Sequence, residues 1–268
     1  MVEKSSFVIV DAFKEIPVKA LYTTRLNGKS DGDFSSFNLG LHVEDDPNAV
    51  LQNRLSLEKH LSKKVVFMNQ THSDNVVLVD KNDACESEKM LEGTIPVSLG
   101  VDADGIVTCD KSIALAVLTA DCLPLLMTTE DGSVVAAVHC GWKGVYSNII
   151  KNAVSLIREH SQREIYAYLG PCIGPESFEV GGELLDKFKS VLKNAELAFT
   201  KKDNGKYLCS LPLLTKMQLE KAGVTKVVES CVDTYQNPNL LYSYRRSKRT
   251  GRMSCVICST LLSQLSLN

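Results

Sequence analysis

Three residues of this chain combine ligand chemistry with a position at the end of an apolar run. His72 follows Val65 to Met68 in "VVFMNQTHSDN", Cys122 interrupts "LTADCLPLLM", and His139 ends "VAAVHC" just before Gly141 and the single tryptophan, Trp142. Two imidazoles and a thiolate suit a catalytic zinc, with a fourth position left for water or substrate. With 49 residues between His72 and Cys122 and 16 between Cys122 and His139, the spacing is unlike the close pairs of a zinc finger, so only the fold can unite them. The same residues also fit a metal-free cysteine hydrolase or deamidase, with Cys122 as nucleophile and His139 as base. A closed, structural site that enlists Cys140 is a third reading. Neighbours on an extended strand point to opposite faces, so Cys140 joins only if the backbone turns at Gly141.

Apolar, β-branched stretches predict the strands that must position these groups: Val65–Met68, Val76–Val79, Gly105–Thr108, Ile113–Leu118, Leu125–Thr128 and Val134–Val138. Further strands are expected at Phe7–Val10, Ala20–Thr24, Ile165–Leu169 and Lys226–Glu229, and a long polar loop over Asn27–Gly40. Helices are expected at Ala49–Leu61, capped by Asp45-Asp46-Pro47, and at Ser147–Glu159, Glu183–Leu192 and Leu213–Ala222. Asp131-Gly132 marks a hairpin, so at least one pair is antiparallel and the sheet is mixed. Pro124 is poorly suited to a central strand and should break the chain there, leaving Cys122 at the break. The elements interleave without a regular βαβ repeat, and no GxGxxG or Walker pattern occurs, which disfavours Rossmann and barrel topologies.

The 268 residues are read as one domain, 1–268, with 44% apolar and 23% charged residues, an ordinary globular composition. A net charge of −2 gives no general attraction to nucleic acid or anionic lipid. The one dense basic cluster is Arg245-Arg246-Ser247-Lys248-Arg249, with Arg252 following. The start, MVEKSSFVIVDAF, is interrupted by Asp11 and lacks the marks of a signal peptide, and no run is long enough to span a membrane. Nine cysteines, an odd number, fit a reducing compartment, and the chain is expected to be cytoplasmic. Cys255-Val-Ile-Cys258 sits in an apolar, strand-like segment without a second pair and reads as structural; Cys85, Cys109, Cys172, Cys209 and Cys231 read as packing residues. His60 and His160 sit near helix C-termini, a favourable place for imidazole, and His42 is ambiguous.

The segments "TTRLNGKSDGDFSSFNLGLHVEDDPNAVLQNR", "NQTHSDNVV", "TADCLPLLM", "AAVHCGWKG", "LGPCIGPESFEVG" and "YSYRRSKRTGRM" together resemble the laccase-domain, or polyphenol-oxidase, family of bacterial proteins, whose assigned activity is purine nucleoside phosphorylase with adenosine deaminase activity. The resemblance covers nearly the whole chain. It implies an α+β (mixed α/β) fold, a layered α-β-β-α sandwich with mixed sheets related to the catalytic domain of cytotoxic necrotizing factors. It also implies zinc on His72, Cys122 and His139. Three positions depart from the family's pattern: Cys140 replaces a small residue, Lys143 an arginine and Ser73 a frequent glycine. Lysine keeps the charge of arginine but loses its bidentate fork.

The implied reactions are phosphorolysis of adenosine, inosine and methylthioadenosine, and deamination of adenosine. Arg25, Arg245, Arg246 and Lys143 are the candidate phosphate partners, because cations beside the ribose bind an oxyanion. Asn38 is a candidate for hydrogen bonding to the nucleoside or for stabilising its own loop. Asp121, beside Cys122, is the candidate proton carrier for an attack by zinc-activated water, together with the catalytic set His72, Cys122 and His139. Copper oxidation of phenols is the rival metal chemistry; it needs many imidazoles, often in His-x-His pairs, and this chain has five histidines and no such pair. The expected partners are small molecules, not nucleic acid or membrane, with a monomer or homodimer as the assembly.

Overall fold

Strands buried on both faces need covering layers on both sides, and the uninterrupted apolar runs here demand that arrangement. The computed structural model describes residues 5–261. Its strands are β1 (Phe7–Ile9), β2 (Val18–Thr23), β3 (Lys64–Val66), β4 (Val76–Leu78), β5 (Gly105–Thr108), β6 (Ile113–Thr119), β7 (Leu123–Thr129), β8 (Val135–Cys140), β9 (Ile165–Leu169), β10 (Glu179–Val180), β11 (Phe199–Lys201), β12 (Tyr207–Cys209), β13 (Lys226–Glu229) and β14 (Met253–Ser259). Its helices are α1 (Pro47–Leu61), α2 (Ser87–Leu91), α3 (Trp142–Tyr146), α4 (Ile149–His160), α5 (Gly182–Val191) and α6 (Leu211–Lys221).

Two mixed sheets form, in the orders β1-β2-β14-β6-β3 and β13-β9-β7-β8-β5-β4, with a small sheet β10-β12-β11 beside them. The pairs β3/β6, β4/β5 and β9/β13 are parallel and the other pairs in the two large sheets antiparallel. Leu115, Val117 and Ile257 of the first sheet meet Ile106, Leu126 and Ala137 of the second, forming one core between the sheets. The outer face of the second sheet packs Leu125 and Val138 against Ile149 and Ile157 of α4, Phe188 of α5 and Leu214 of α6. The outer face of the first packs Ala116 and Val256 against Leu57 and Leu61 of α1. The layers are therefore α-β-β-α, and each fully buried Leu or Ile contributes roughly 1.5–3 kcal/mol.

Strands predicted from the apolar runs are found, with shifts at their ends. The helix expected over Ser147–Glu159 is found as α4, starting at Ile149, and a short helix not expected, α3, precedes it; Asn148 takes a left-handed conformation (φ 70°) that separates the two. The two- and three-residue strands of the small sheet are too short to show alternation in sequence. The predicted break falls ahead of the proline: Pro124 is the second residue of β7, opposite His139, and β7 begins its pairing with β9 only at Leu125. A missing N–H at that strand end costs no ladder bond. The break itself is Ala120-Asp121-Cys122, where the chain leaves β6 in one sheet and enters β7 in the other. Among the described residues no helix is long and apolar enough to cross a membrane. Lys4, part of the amino-terminal reading, lies outside the described residues.

Candidate metal centre and its pocket

Strand alternation explains why β8 ends on a histidine. Val138 and Cys140 point into the core beneath the helices, whereas Ala137 points into the core between the sheets, so His139 shares its side. Cys140 is fully buried, and burial pushes its thiol up, far from ionisation. Cys122, at the crossing between sheets, is brought over the end of β8 from above. His72 comes from the loop after β3, held at a positive φ of 63°. The ligand atoms of His72, Cys122 and His139 all lie within 4.8 Å of one another. Cys122 Sγ is 3.7 Å from His72 Nε2, and the two imidazole rings are 4.7 Å apart at 76°.

Asp104, which the sequence reading passed over, gathers this constellation. Its Oδ1 accepts from His139 Nδ1 at 2.8 Å and from His72 N at 2.9 Å. Its Oδ2 accepts from Ser73 N and Ser73 Oγ, both at 2.7 Å, and from Thr71 N at 3.1 Å. Burial opposes its charge, but the bonds from His139 and Ser73 outweigh it and hold the carboxyl well below the usual range. With Nδ1 of His139 so engaged, Nε2 is the nitrogen free for a ligand. Burial likewise disfavours charge on Cys122 and His139, yet their attraction for one another, with help from His72 and Asp104, pulls the thiol down to about 6 and raises the imidazole to about 9.

The donor set fits a divalent metal such as zinc. Gly141 supports the fit: a Cβ there would lie 2.8 Å from His72 Cδ2 and 3.4 Å from Cys122 Sγ, so the absent side chain keeps the site clear. Among the described residues Cys140 is not part of this cluster, leaving three residues that could hold a metal and an open side. That side faces a pocket of about 300 Å³ with Trp142, Phe178, Tyr244, Ile173 and Leu211 in its walls and Lys143, Arg245 and Lys248 among its lining residues.

The profile of the family described as "multi-copper polyphenol oxidoreductase laccase" matches residues 19–260. The chain belongs to this family. Among members with names, the protein called purine nucleoside phosphorylase PA4543 of Pseudomonas aeruginosa is 35% identical over 241 residues, 90% of this chain and 93% of that one. Purine nucleoside phosphorylase YfiH of Escherichia coli is 36% identical over 242 residues, with the same coverages. The crystal structure of the hypothetical protein YfiH of Bacillus licheniformis is similar with a TM-score of 0.86 and 29% identity, covering 96% of this chain and 98% of that one. A Neisseria meningitidis protein gives a TM-score of 0.82 and 34% identity, covering 95% and 99%. The family description names copper, but the cluster here offers two imidazoles and a thiolate, while His60 and His160 lie at the ends of α1 and α4 and His42 stands outside the cluster.

The remaining candidates separate cleanly. Lys143 and Arg245 line the pocket. Arg246 does not: its guanidinium donates to the carbonyls of Thr234, Tyr235 and Leu241, which ties a loop together. Arg25 donates to Ser35 O and Pro238 O and lies over Tyr242, again bracing loops. Asn38 is fully buried, and its amide is satisfied by Gly40, Asp45 and Arg252, so it stabilises its own loop. Asp121 lines the pocket but commits one oxygen to Thr234 Oγ1 at 2.6 Å and the other to Arg245 N at 2.5 Å. These bonds fasten it to the segment carrying Arg245, and burial pushes its carboxyl up in spite of them. Cys255 and Cys258 are buried in different cores, on opposite faces of β14, so they form no pair. Cys109 and Cys231 are exposed, contrary to the packing role expected of them.

Proposed function

We propose that the chain is a zinc-dependent purine nucleoside phosphorylase acting on adenosine, inosine or methylthioadenosine, with adenosine deamination as a second reaction of the same pocket. The observation that carries it is the convergence of His72, Cys122 and His139 on one point at the mouth of a pocket with aromatic walls and a cationic rim. Relatives named purine nucleoside phosphorylases support the substrate class. In this reading the chain works as one domain, which the core shared between the sheets supports, and acts in the cytoplasm.

Phosphorolysis transfers a ribosyl group from a purine to phosphate. The base has flat apolar partners in Trp142, Phe178 and Tyr244, on which a heterocycle can stack. The phosphate has Lys143, Arg245 and Lys248, whose positive charge attracts the anion and leaves it beside the ribose carbon under attack. His72, Cys122 and His139 would hold the metal, and Asp104 keeps His139 in the required tautomer. When bound, the metal supplies Lewis acidity to the pocket. Deamination also needs a proton carrier, and among the described residues the one carboxylate lining the pocket, Asp121, already accepts from Thr234 Oγ1 and Arg245 N. Phosphorolysis is thus the better supported of the two.

The test is to incubate metal-analysed protein with each nucleoside, with and without phosphate, and to identify the products chromatographically. Phosphate-dependent release of free base supports the reading. Protein with zinc bound that releases neither base nor inosine sinks it.

A further inference from the structure

A second cleft, of about 560 Å³, lies between α4 and α6 and shares no lining residue with the pocket at the metal cluster. That size is within the range of small-molecule sites. Lys151 and Arg158 project from α4, one face apart by seven residues, and Lys221 from the end of α6. Among the described residues no acidic side chain lines the cleft. Among the described residues none of these three cations is in an ion pair, in a chain whose net charge is −2. Arg158 and Lys221 each donate only to a main-chain carbonyl, Arg163 O and Val191 O.

Gln218 adds a second and independent feature. It lines the cleft, is only 7% exposed, and spends its Nε2 on Val145 O at 2.6 Å, while its Oε1 has no partner. Buried acceptors are rarely left so; Oε1 is covered where it stands, and a donor group on a bound molecule would satisfy it once the side chain turns toward the cleft. Val145 belongs to α3, the helix that follows Gly141 directly and carries Trp142 and Lys143 of the metal-site pocket.

We propose that the α4/α6 cleft binds a small phosphorylated molecule that also carries a hydrogen-bond donor, of the nucleoside monophosphate kind, and that Gln218 transmits its presence to α3. The phosphate is held by Lys151, Arg158 and Lys221, and the donor meets Gln218 Oε1. Because Gln218 is bonded to α3, a ligand that shifts it changes the placement of Lys143. Any effect on the pocket is matched by an equal effect of pocket ligands on the cleft.

The experiment uses the full-length, metal-loaded protein and three probes: adenosine monophosphate, inorganic phosphate and adenosine. The Lys151→Glu/Arg158→Glu double variant, with Lys151→Glu alone as the milder control, should bind adenosine monophosphate at least tenfold more weakly than wild type. Its metal content and its affinity for adenosine should be unchanged. Inorganic phosphate should bind more weakly than the monophosphate, and Gln218→Leu should reduce that difference. Absence of monophosphate binding, equal affinity in wild type and double variant, or one-for-one competition between monophosphate and adenosine would each overturn the proposal. Equal affinity for phosphate and monophosphate would overturn the role of Gln218. Failure of adenosine to bind anywhere would count against the phosphorylase reading and not against the cleft.

Discussion

Asp104 and His139 are joined twice: His139 Nδ1 donates to Asp104 Oδ1 at 2.8 Å, and His139 N donates to Asp104 O at 2.7 Å. The start of β5 is thereby fastened to the end of β8, and the same carboxylate anchors the loop of His72. Such a partner fixes ring orientation and raises the basicity of a metal-binding imidazole. Asp104→Asn should weaken metal binding roughly 10- to 100-fold while leaving the far-ultraviolet circular dichroism intact. Competition against a chelator of known affinity measures this, and an unchanged affinity would remove Asp104 from the account.

The two adjacent residues His139 and Cys140 should behave differently on truncation. His139→Ala and Cys122→Ala should each lose the bound metal. Cys140→Ala should keep it and instead cost about 1–2 kcal/mol of stability, because it opens a small cavity under α3 and α4. Metal analysis and denaturant unfolding of the three variants settle the matter; loss of metal in Cys140→Ala would show a closed, four-ligand site.

Gly141 is required by space and not by its backbone, since its φ of −69° suits any residue. Gly141→Ala places a methyl 2.8 Å from the His72 ring and should weaken metal binding by tenfold or more with little change in melting temperature. A variant with wild-type metal affinity would mean that His72 does not face the site.

The metal-free protein holds Cys122 and His139 as a thiolate and imidazolium, with the imidazole raised to about 9. A metal ligand must be neutral imidazole, so binding at pH 7 to 8 should release about one proton, and the release should fade as pH rises through about 9. The raised imidazole loses its stabilisation as pH rises through about 9 and the lowered thiol loses its own as pH falls through about 6, so the pair contributes most to the metal-free fold between these two values. Calorimetry of metal binding in two buffers of different ionisation enthalpy counts the protons. No release at pH 7 would contradict the ion-pair description.

Much of this site was visible in the chain because strand ends are visible. His72, Cys122 and His139 each stood out against a run of apolar residues, and those runs became the two sheets. The opposite orientation of Cys140 also followed from strand alternation. Asp104 was not visible: in "VDADG" it is one of two aspartates before a strand, and only the pairing of β5 with β8 sets it against His139. Register is a long-range property of the sheet, absent from local pattern. For the same reason Arg245 and Arg246 could not be told apart in sequence. The structure turns one toward the pocket and buries the other's hydrogen bonds in its own loop.

The most direct test of the central claim is phosphate-dependent cleavage of a purine nucleoside by protein of known metal content, compared with Cys122→Ala. Wild-type protein carrying about one zinc per chain should release base from adenosine, inosine or methylthioadenosine only when phosphate is present, and Cys122→Ala should carry no zinc and release none. Base release that persists without phosphate, or that survives in zinc-free Cys122→Ala protein, would contradict the account.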